Sequence, residues 1–360
     1  MNIVVFGLTV SSSWGNGHAT LWRGLGRALE KRGVRLTFFE RHQTYYADAR
    51  DAVTFPGIDL VLYDSWPDVE PTARAAVLAA DAAIVTSFCP DGPDAADLVR
   101  GASRFPMFYD LDTPVTLASL DGTPAPYLPR AGMTGFDLVL SFTGGPALEA
   151  LRRRLHADVV RPLYGFADAD AYAPDPSARR DDVALSYLGT YALDRQWTLA
   201  ALFVEAARRL PHRFFLLGGA QYPRDFPWTE NTLFVRHVEP GQHRKFYGAA
   251  PLTLNVTRAS MAQMGFCPSG RIFEAAACAT AVISDVWDGI ETFFEPGEEI
   301  LLAQSVEDVL GAIALGPAEL ERVGRRARAR VLEEHSADRR ADQLLSHIAS
   351  ARRGEMGATA

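Results

Sequence analysis

MNIVVFGLTVSSSWGNGHATLWRGLGRALEKRGVRLTFFE, residues 1–40, reads as strand, loop, helix and strand in succession. Residues 3–7 form a short apolar run that ends in the polar, glycine-bearing loop SSSWGNGHA, 11–19. Leu21, Trp22, Leu25, Ala28 and Leu29 then recur at helical spacing, and Gly33 closes the helix. Residues 34–39 supply the next strand. Short strands that are apolar throughout, rather than alternating, belong to parallel sheets covered by helices on both faces.

The same texture continues through IDLVLYD (58–64), AAIVTSF (82–88), FPMFYD (105–110) and FDLVLSF (136–142). It breaks at GFADADAYAPDPSARRDD, 165–182, which lacks apolar periodicity. It restarts with VALSYLG (183–189), RFFLLGG (213–219), LFVRHV (233–238), PLTLNV (251–256) and TAVISD (280–285). This pattern predicts an α/β chain of two Rossmann-like, doubly wound domains. The expected boundaries are 1–165, a linker at 166–182, a second domain at 183–316, and helices over 317–350. The last helix is expected to pack back on the first domain. Ligands of such sheets bind outside the carboxyl ends of the strands, so a cleft between two such ends is expected. The terminal GEMGATA, 354–360, reads as disordered.

The chain has 360 residues, 48% hydrophobic and 22% charged, with a net charge of −8. That is the composition of a globular protein, and its acidity argues against a general nucleic-acid binder. No apolar run approaches the roughly 20 residues a spanning helix needs. The N-terminus lacks a basic leader and reads as a strand, so no signal peptide is expected. Cys89, Cys267 and Cys278 show no paired spacing, which suggests a reducing, cytoplasmic setting with neither a disulfide framework nor a zinc cluster.

The segment richest in chemistry is PSGRIFEAAACATAVISDVWDGIETFFEPGEEILL, 268–302. Pro268, Ser269 and Gly270 stand where a helix should begin, and the free N–H groups of a helix start attract an anion. Arg271 and Glu274 are three apart, on one face. Arg271 can contact a phosphate, and an ionised Glu274 can accept from both hydroxyls of a ribose. An ordinary solvated Arg/Glu pair satisfies the spacing equally. In YLGTYALDRQ (187–196), Gly189 and Thr190 follow a strand, and Arg195 opens the next helix as a candidate diphosphate ligand, unless this is a plain strand–turn–helix junction. Arg258, after PLTLNV, is a further phosphate candidate or a surface arginine, and Val238 closes LFVRHV on the same side.

In the first half, Gly15, Asn16, Gly17 and His18 form the loop after the first strand. It is not a dinucleotide fingerprint, since the third glycine comes late, at Gly24. Glu40 is the only acid near a dinucleotide ribose position. His18 is a candidate base toward an acceptor hydroxyl, or a histidine with structural hydrogen bonds at a helix start. Asp110 and Asp112 in YDLDTP suggest either a metal pair, acceptor-side groups with Asp112 as the alternative base, or a turn before Pro114. Arg322, Arg325, Arg326, Arg328 and Arg330 on one late helix read as a solvated face, with weak contact to an anionic membrane surface as the secondary reading.

EAAACATAVIS from Glu274, LNVTRASM (254–261), YLGTYALDRQ, YDLDTP and SFTGGP (141–146) together resemble the GT-B glycosyltransferases of the group-1, family-4-like type, and within them the spore-maturation (CgeB-type) branch. Ala279, Thr280 and Ala281 stand where that pattern has its glycine and proline. Phe266 stands where many relatives carry a second Glu, eight residues before the first. The resemblance implies a metal-independent transferase using a nucleotide diphosphate-sugar donor and no other cofactor. Its donor site would comprise Gly17, Gly189, Thr190, Arg195, Val238, Arg258, Ser269, Gly270, Arg271 and Glu274, with His18 and Asp112 on the acceptor side. The acceptor would be a sugar, polysaccharide, lipid-linked or small molecule. A nucleotide-sugar 2-epimerase and a non-catalytic sugar-binding or coat-assembly protein are the competing readings, the latter kept open by Phe266.

Overall fold

Consecutive buried residues in the central strands explain the architecture of both halves. In the first, β1 (Asn2–Gly7), β2 (Arg35–Arg41), β3 (Ile58–Tyr63), β4 (Ala82–Thr86), β5 (Pro106–Asp110), β6 (Leu138–Ser141) and β7 (Val160–Pro162) form one parallel sheet. The order is β3-β2-β1-β4-β5-β6-β7, so it reverses between β1 and β4. β4, β5 and β6 are buried along their whole length, as strands covered on both faces must be.

The computed structural model describes residues 1–354; of the terminal GEMGATA, 355–360 lie outside the described residues. The chain divides into two compact units: Met1–Tyr164 with the chain from Ala337 onward, and Gly165–Ser336. In the first unit, helix Ala337–Arg352 packs against helix His18–Glu30 through a face that includes Ala341, Leu344 and Ile348. Arg32 fastens the pair. Its guanidinium donates to Asp338 at 2.7 Å, to Asp342 at 2.6 Å and to the Ala28 carbonyl at 2.8 Å.

The second unit repeats the plan. β8 (Val183–Leu188), β9 (Phe214–Gly218), β10 (Thr232–Val235), β11 (Leu252–Asn255), β12 (Ala281–Asp285) and β13 (Leu301–Ala303) are parallel in the order β10-β9-β8-β11-β12-β13, reversing between β8 and β11. β7 and β13 have three residues each, too short for a periodicity to mark them. β10 ends at Val235, three residues before the expected end, because the chain turns away toward helix Pro240–Ala249.

The stretch 165–182, read as a linker, is folded into the second unit. Tyr172 is buried at 5% exposure, and Arg244 donates to the Pro174 carbonyl at 2.7 Å. Helix Gly270–Ala277 ends in a turn where Ala279 has φ +57°. Helix Pro317–Glu334 packs on that turn so closely that a Cβ at Gly324 would meet the Ala279 carbonyl at 2.2 Å.

Ala279 therefore occupies a left-handed backbone conformation that costs a residue with a Cβ about 1–2 kcal/mol. Glycine removes that strain but gains entropy in the unfolded chain, which offsets part of the benefit. Ala279→Gly is expected to raise stability by about 0.5–1 kcal/mol, read as an increased denaturation midpoint. An unchanged or lower midpoint would show that the turn carries no such strain.

Candidate functional site

In the second unit, the carboxyl ends of β8 and β11 lie side by side at the point where strand order reverses, the place where open α/β sheets hold ligands. Two glycines let the backbone close up there. Gly219 has φ +151°, and a Cβ on it would lie 2.0 Å from the Gly189 carbonyl; a Cβ on Gly189 would lie 3.0 Å from Nη1 of Arg271. Gly189 N–H donates to the Gly218 carbonyl at 2.8 Å, and the Tyr222 hydroxyl donates to the Gly189 carbonyl at 3.0 Å.

Two arginines converge on this corner. Arg271 donates from Nη1 to the Leu188 carbonyl at 3.0 Å and lies over the Tyr187 ring, 5.7 Å from its centroid. Arg195 is 7% exposed; its Nη2 donates to the Thr190 carbonyl at 2.7 Å, and its buried Nε has no partner. Burial presses the Arg195 pKa downward, and neighbouring Arg271 adds to that push. Among the described residues neither guanidinium forms an ion pair. Ser269 caps helix Gly270–Ala277 without a side-chain hydrogen bond; its carbonyl accepts from the Ile272 N–H at 3.1 Å, and its side chain gives the first N–H groups nothing. An anion at this corner would meet one buried and one part-buried cation and a helix start.

Glu274, one turn along the same helix, accepts from the Tyr172 hydroxyl at 2.9 Å and from the Tyr247 hydroxyl at 3.3 Å. His243 Nδ1 lies 3.8 Å from its second oxygen. Val238, past the end of β10, is buried, and its carbonyl lies 3.1 Å from His243 Nε2. Arg258 pairs with Asp194 at 3.0 Å, tying the loop after β11 to the loop after β8. Phe266 has φ +48°, and its ring fills the space where a Cβ on Gly289 would fall, at 2.4 Å. The late arginines are largely engaged: Arg322 with Glu298 and Glu319, Arg326 with Glu298, Arg330 with Glu299 and Glu334, and Arg328 with the Ala277 carbonyl.

In the first unit, the sheet reverses between β1 and β4, and His18 lies at that point. Gly17 immediately precedes the helix, and Asn16 Oδ1 accepts from the His18 N–H at 3.0 Å. The His18 ring meets Phe88, which follows β4, edge-on at 5.6 Å. Nδ1 of His18 is buried without a partner, and burial lowers the imidazole pKa to about 4. Phe88 contacts Tyr127 at 4.8 Å, and the Tyr127 hydroxyl lies 2.8 Å from Thr116, which donates to Asp110 at 2.9 Å. Asp110 is fully buried, accepts from the Asp112 N–H at 3.2 Å and has its pKa raised by burial to about 6. That N–H contact is the side-chain turn foreseen as one reading of Asp110. Asp112 is half-buried at the start of helix Thr113–Ser119. Glu40 is consumed by the loop after β1, accepting from the N–H groups of Val10 and Ser11 at 2.7 and 2.9 Å. Among the described residues no group of three or more His, Cys, Asp or Glu is placed to hold a metal, and no helix is long and apolar enough to cross a membrane.

The fold thus gathers Gly189, Thr190, Arg195, Ser269, Gly270, Arg271 and Glu274 in the second unit, with Arg258 and Val238 on flanking loops. Gly17 and His18, and separately Asp112, belong to the first. Sequence reasoning missed Tyr172, Tyr187, Tyr222, His243 and Tyr247, which surround the second-unit residues. Only the clustering of tyrosines around YLG and KFYG signals them, and their convergence is a long-range fact.

Residues 195–346 match a family described as glycosyl transferase-like. Comparison with curated proteins finds no match. Among solved structures, the chain is similar to sucrose-phosphate synthase from Thermosynechococcus elongatus, with 17% identity and a TM-score of 0.71 over 98% of this chain and 99% of that one. It is similar to the Anabaena protein HepE, solved with UDP and glucose, at 12% identity and a TM-score of 0.68 over 97% and 100%. An alpha-glucosyltransferase solved with UDP and a 13-mer DNA gives 11% identity and a TM-score of 0.71 over 97% and 99%. The chain has the GT-B fold of these proteins, two Rossmann-like domains each built on a parallel sheet.

The buried Nδ1 of His18 generates a pH prediction. Its folded pKa, about 4, lies below the unfolded value of 6.5, so the unfolded chain binds the extra proton between those limits. Stability from this group is complete above pH 6.5 and is lost as pH falls toward 4. Asp110, with its raised pKa of about 6, slopes the other way, gaining stability as pH falls from 6 toward 3.8. Comparing His18→Gln with the parent isolates the first effect. The variant should gain on the parent by roughly 1–3 kcal/mol between pH 7 and pH 4.5, measured by denaturant unfolding at each pH. A pH-independent difference would place His18 in solvent.

Proposed function

We propose that this chain is a glycosyltransferase that takes a sugar from a nucleoside diphosphate carrier and passes it, without a metal, to an acceptor hydroxyl. The observation that carries this reading is a pair of guanidiniums that form no ion pair among the described residues, Arg195 buried and Arg271 part-buried, beside the start of helix Gly270–Ala277. Uncompensated charge buried in protein costs on the order of several kcal/mol, and a diphosphate relieves it. The match of 195–346 to glycosyl transferase-like domains and the UDP bound in structures of the same fold support the same conclusion.

In this reading Glu274 holds the ribose, and Arg195, Arg271 and the N–H groups near Ser269 and Gly270 hold the diphosphate. Gly189 and Thr190 let the phosphates approach the backbone, and Val238 lies beside the nucleoside. Arg258 acts through Asp194, shaping the loop rather than meeting phosphate. Leaving-group charge is met by the arginines and helix N–H groups, which is why no metal is required. His18 and Asp112 form the acceptor side, toward a sugar, polysaccharide, lipid-linked or small-molecule hydroxyl, and Gly17 counts with the donor-binding residues. A histidine of pKa about 4 is neutral near pH 7, though it is a weaker base than one near 7. The motifs LNVTRASM and YDLDTP favour the spore-maturation branch, and three cysteines outside any disulfide suit the cytoplasm.

Titration with UDP and UDP-glucose tests the donor site. Glu274→Ala should weaken binding at least about tenfold with the fold intact, since a hydrogen bond to a charged group contributes about 1.5–3 kcal/mol. Equal affinities would remove Glu274 from the site. Turnover should survive EDTA; activity lost to the chelator and restored by magnesium or manganese would return Asp110 and Asp112 to consideration as ligands.

A further inference from the structure

Glu274 is held by groups from two other segments of the second unit. Tyr172 comes from the stretch before β8, and His243 and Tyr247 come from helix Pro240–Ala249. The Val238 carbonyl can only accept, so Nε2 of His243, 3.1 Å away, carries a proton. In the neutral ring Nδ1 is then an acceptor, 3.1 Å from the Tyr172 hydroxyl. That hydroxyl has one proton and two acceptors within reach, and the carboxylate oxygen at 2.9 Å is the stronger. Tyr247 donates to the other oxygen at 3.3 Å.

Each carboxylate oxygen of Glu274 therefore receives one tyrosine hydroxyl. An ionised carboxylate has about four acceptor sites, so one remains open on each oxygen. Two open sites on adjacent oxygens suit a pair of neighbouring hydroxyls. The holders are themselves fixed. Arg244 clamps the Tyr172 segment by its bond to Pro174, Asp175 lies so close that its carbonyl would meet a Cβ on Gly248 at 2.9 Å, and the Tyr247 carbonyl accepts from Thr280 at 2.9 Å.

We propose that Tyr172, held against His243, is a positioning residue that orients the Glu274 carboxylate toward the 2′- and 3′-hydroxyls of a nucleoside diphosphate, so that this shell selects ribose over 2′-deoxyribose. The inference rests on the reading of Glu274 as the ribose-binding group. Its consequence is specific: loss of Tyr172 reduces the benefit of the 2′-hydroxyl and leaves the grip on phosphate unchanged. A tyrosine that only supported the fold would weaken both nucleotide forms together.

The test compares dissociation constants of UDP with 2′-deoxy-UDP, and of GDP and ADP with their 2′-deoxy forms, for the parent, Tyr172→Phe and His243→Gln. The parent should bind the ribose form of its preferred diphosphate about tenfold or more tightly than the deoxy form, the factor expected of a hydrogen bond to a charged group. Tyr172→Phe should cut that ratio about three- to tenfold while deoxy affinity stays within about twofold. His243→Gln, which keeps a donor for Val238, should reduce the ratio in the same direction and serves alone if Tyr172→Phe does not fold. A parent ratio near one, or an unchanged ratio in the folded variants, overturns the inference while nucleotide binding itself stands. Failure of the parent to bind any of the three diphosphates overturns the donor reading and the inference with it.

Discussion

Two guanidinium groups, Arg195 buried and Arg271 part-buried, lean on backbone carbonyls, Arg271 also on the Tyr187 ring, and among the described residues neither forms an ion pair. Most of the local design of the second unit serves to hold them there. The close approach of Gly219 to Gly189 opens the end of β8, Leu188 and Thr190 turn their carbonyls to the arginines, and Tyr222 locks the loop through the Gly189 carbonyl. Asp285, near Arg271, is occupied by the N–H and hydroxyl of Thr257. Positive charge thus accumulates at a strand-order reversal and stays available to an anion.

The first unit uses the same strand order with a different electrostatic outcome. Its loop after β1 is tied down by an acid, Glu40, whose oxygens accept from backbone N–H groups and from the Ser11 hydroxyl. The carboxylate takes the Val10 and Ser11 N–H groups, which are then closed to a phosphate. What remains at the reversal point is a neutral imidazole and the aromatic rings of Phe88 and Tyr127. Such a surface suits an uncharged ligand better than a phosphate.

The division of labour was partly legible in the residues. Buried parallel strands announce themselves as apolar runs, which is why eleven-odd segments such as AAIVTSF and TAVISD could be placed, whereas β7 and β13 are too short to carry a pattern. Arg271 and Glu274 were readable because their spacing is local to one helix. Arg258 reads in sequence as a phosphate candidate or a surface arginine, and its pairing with Asp194 depends on two loops meeting in space. The stretch 165–182 looked like a linker because breakers dominate it, and the burial of Tyr172 depends on a surface built some 70 residues later, by helix Pro240–Ala249. The depressed pKa of His18 likewise arises from Phe88 and neighbouring chain, not from its own sequence.

The Arg32–Asp338 bond joins residues 306 apart in the chain. During synthesis the ribosome exposes β1 to β7 long before it delivers helix Ala337–Arg352, and the whole of Gly165–Ser336 emerges between them. Helix His18–Glu30 must wait, with its outer face uncovered, for helix Ala337–Arg352. Closure of so long a loop is entropically costly and raises the contact order of the first unit. The second unit, contiguous in sequence, has no such delay, so completion of the N-terminal half is the later event in the life of the nascent chain.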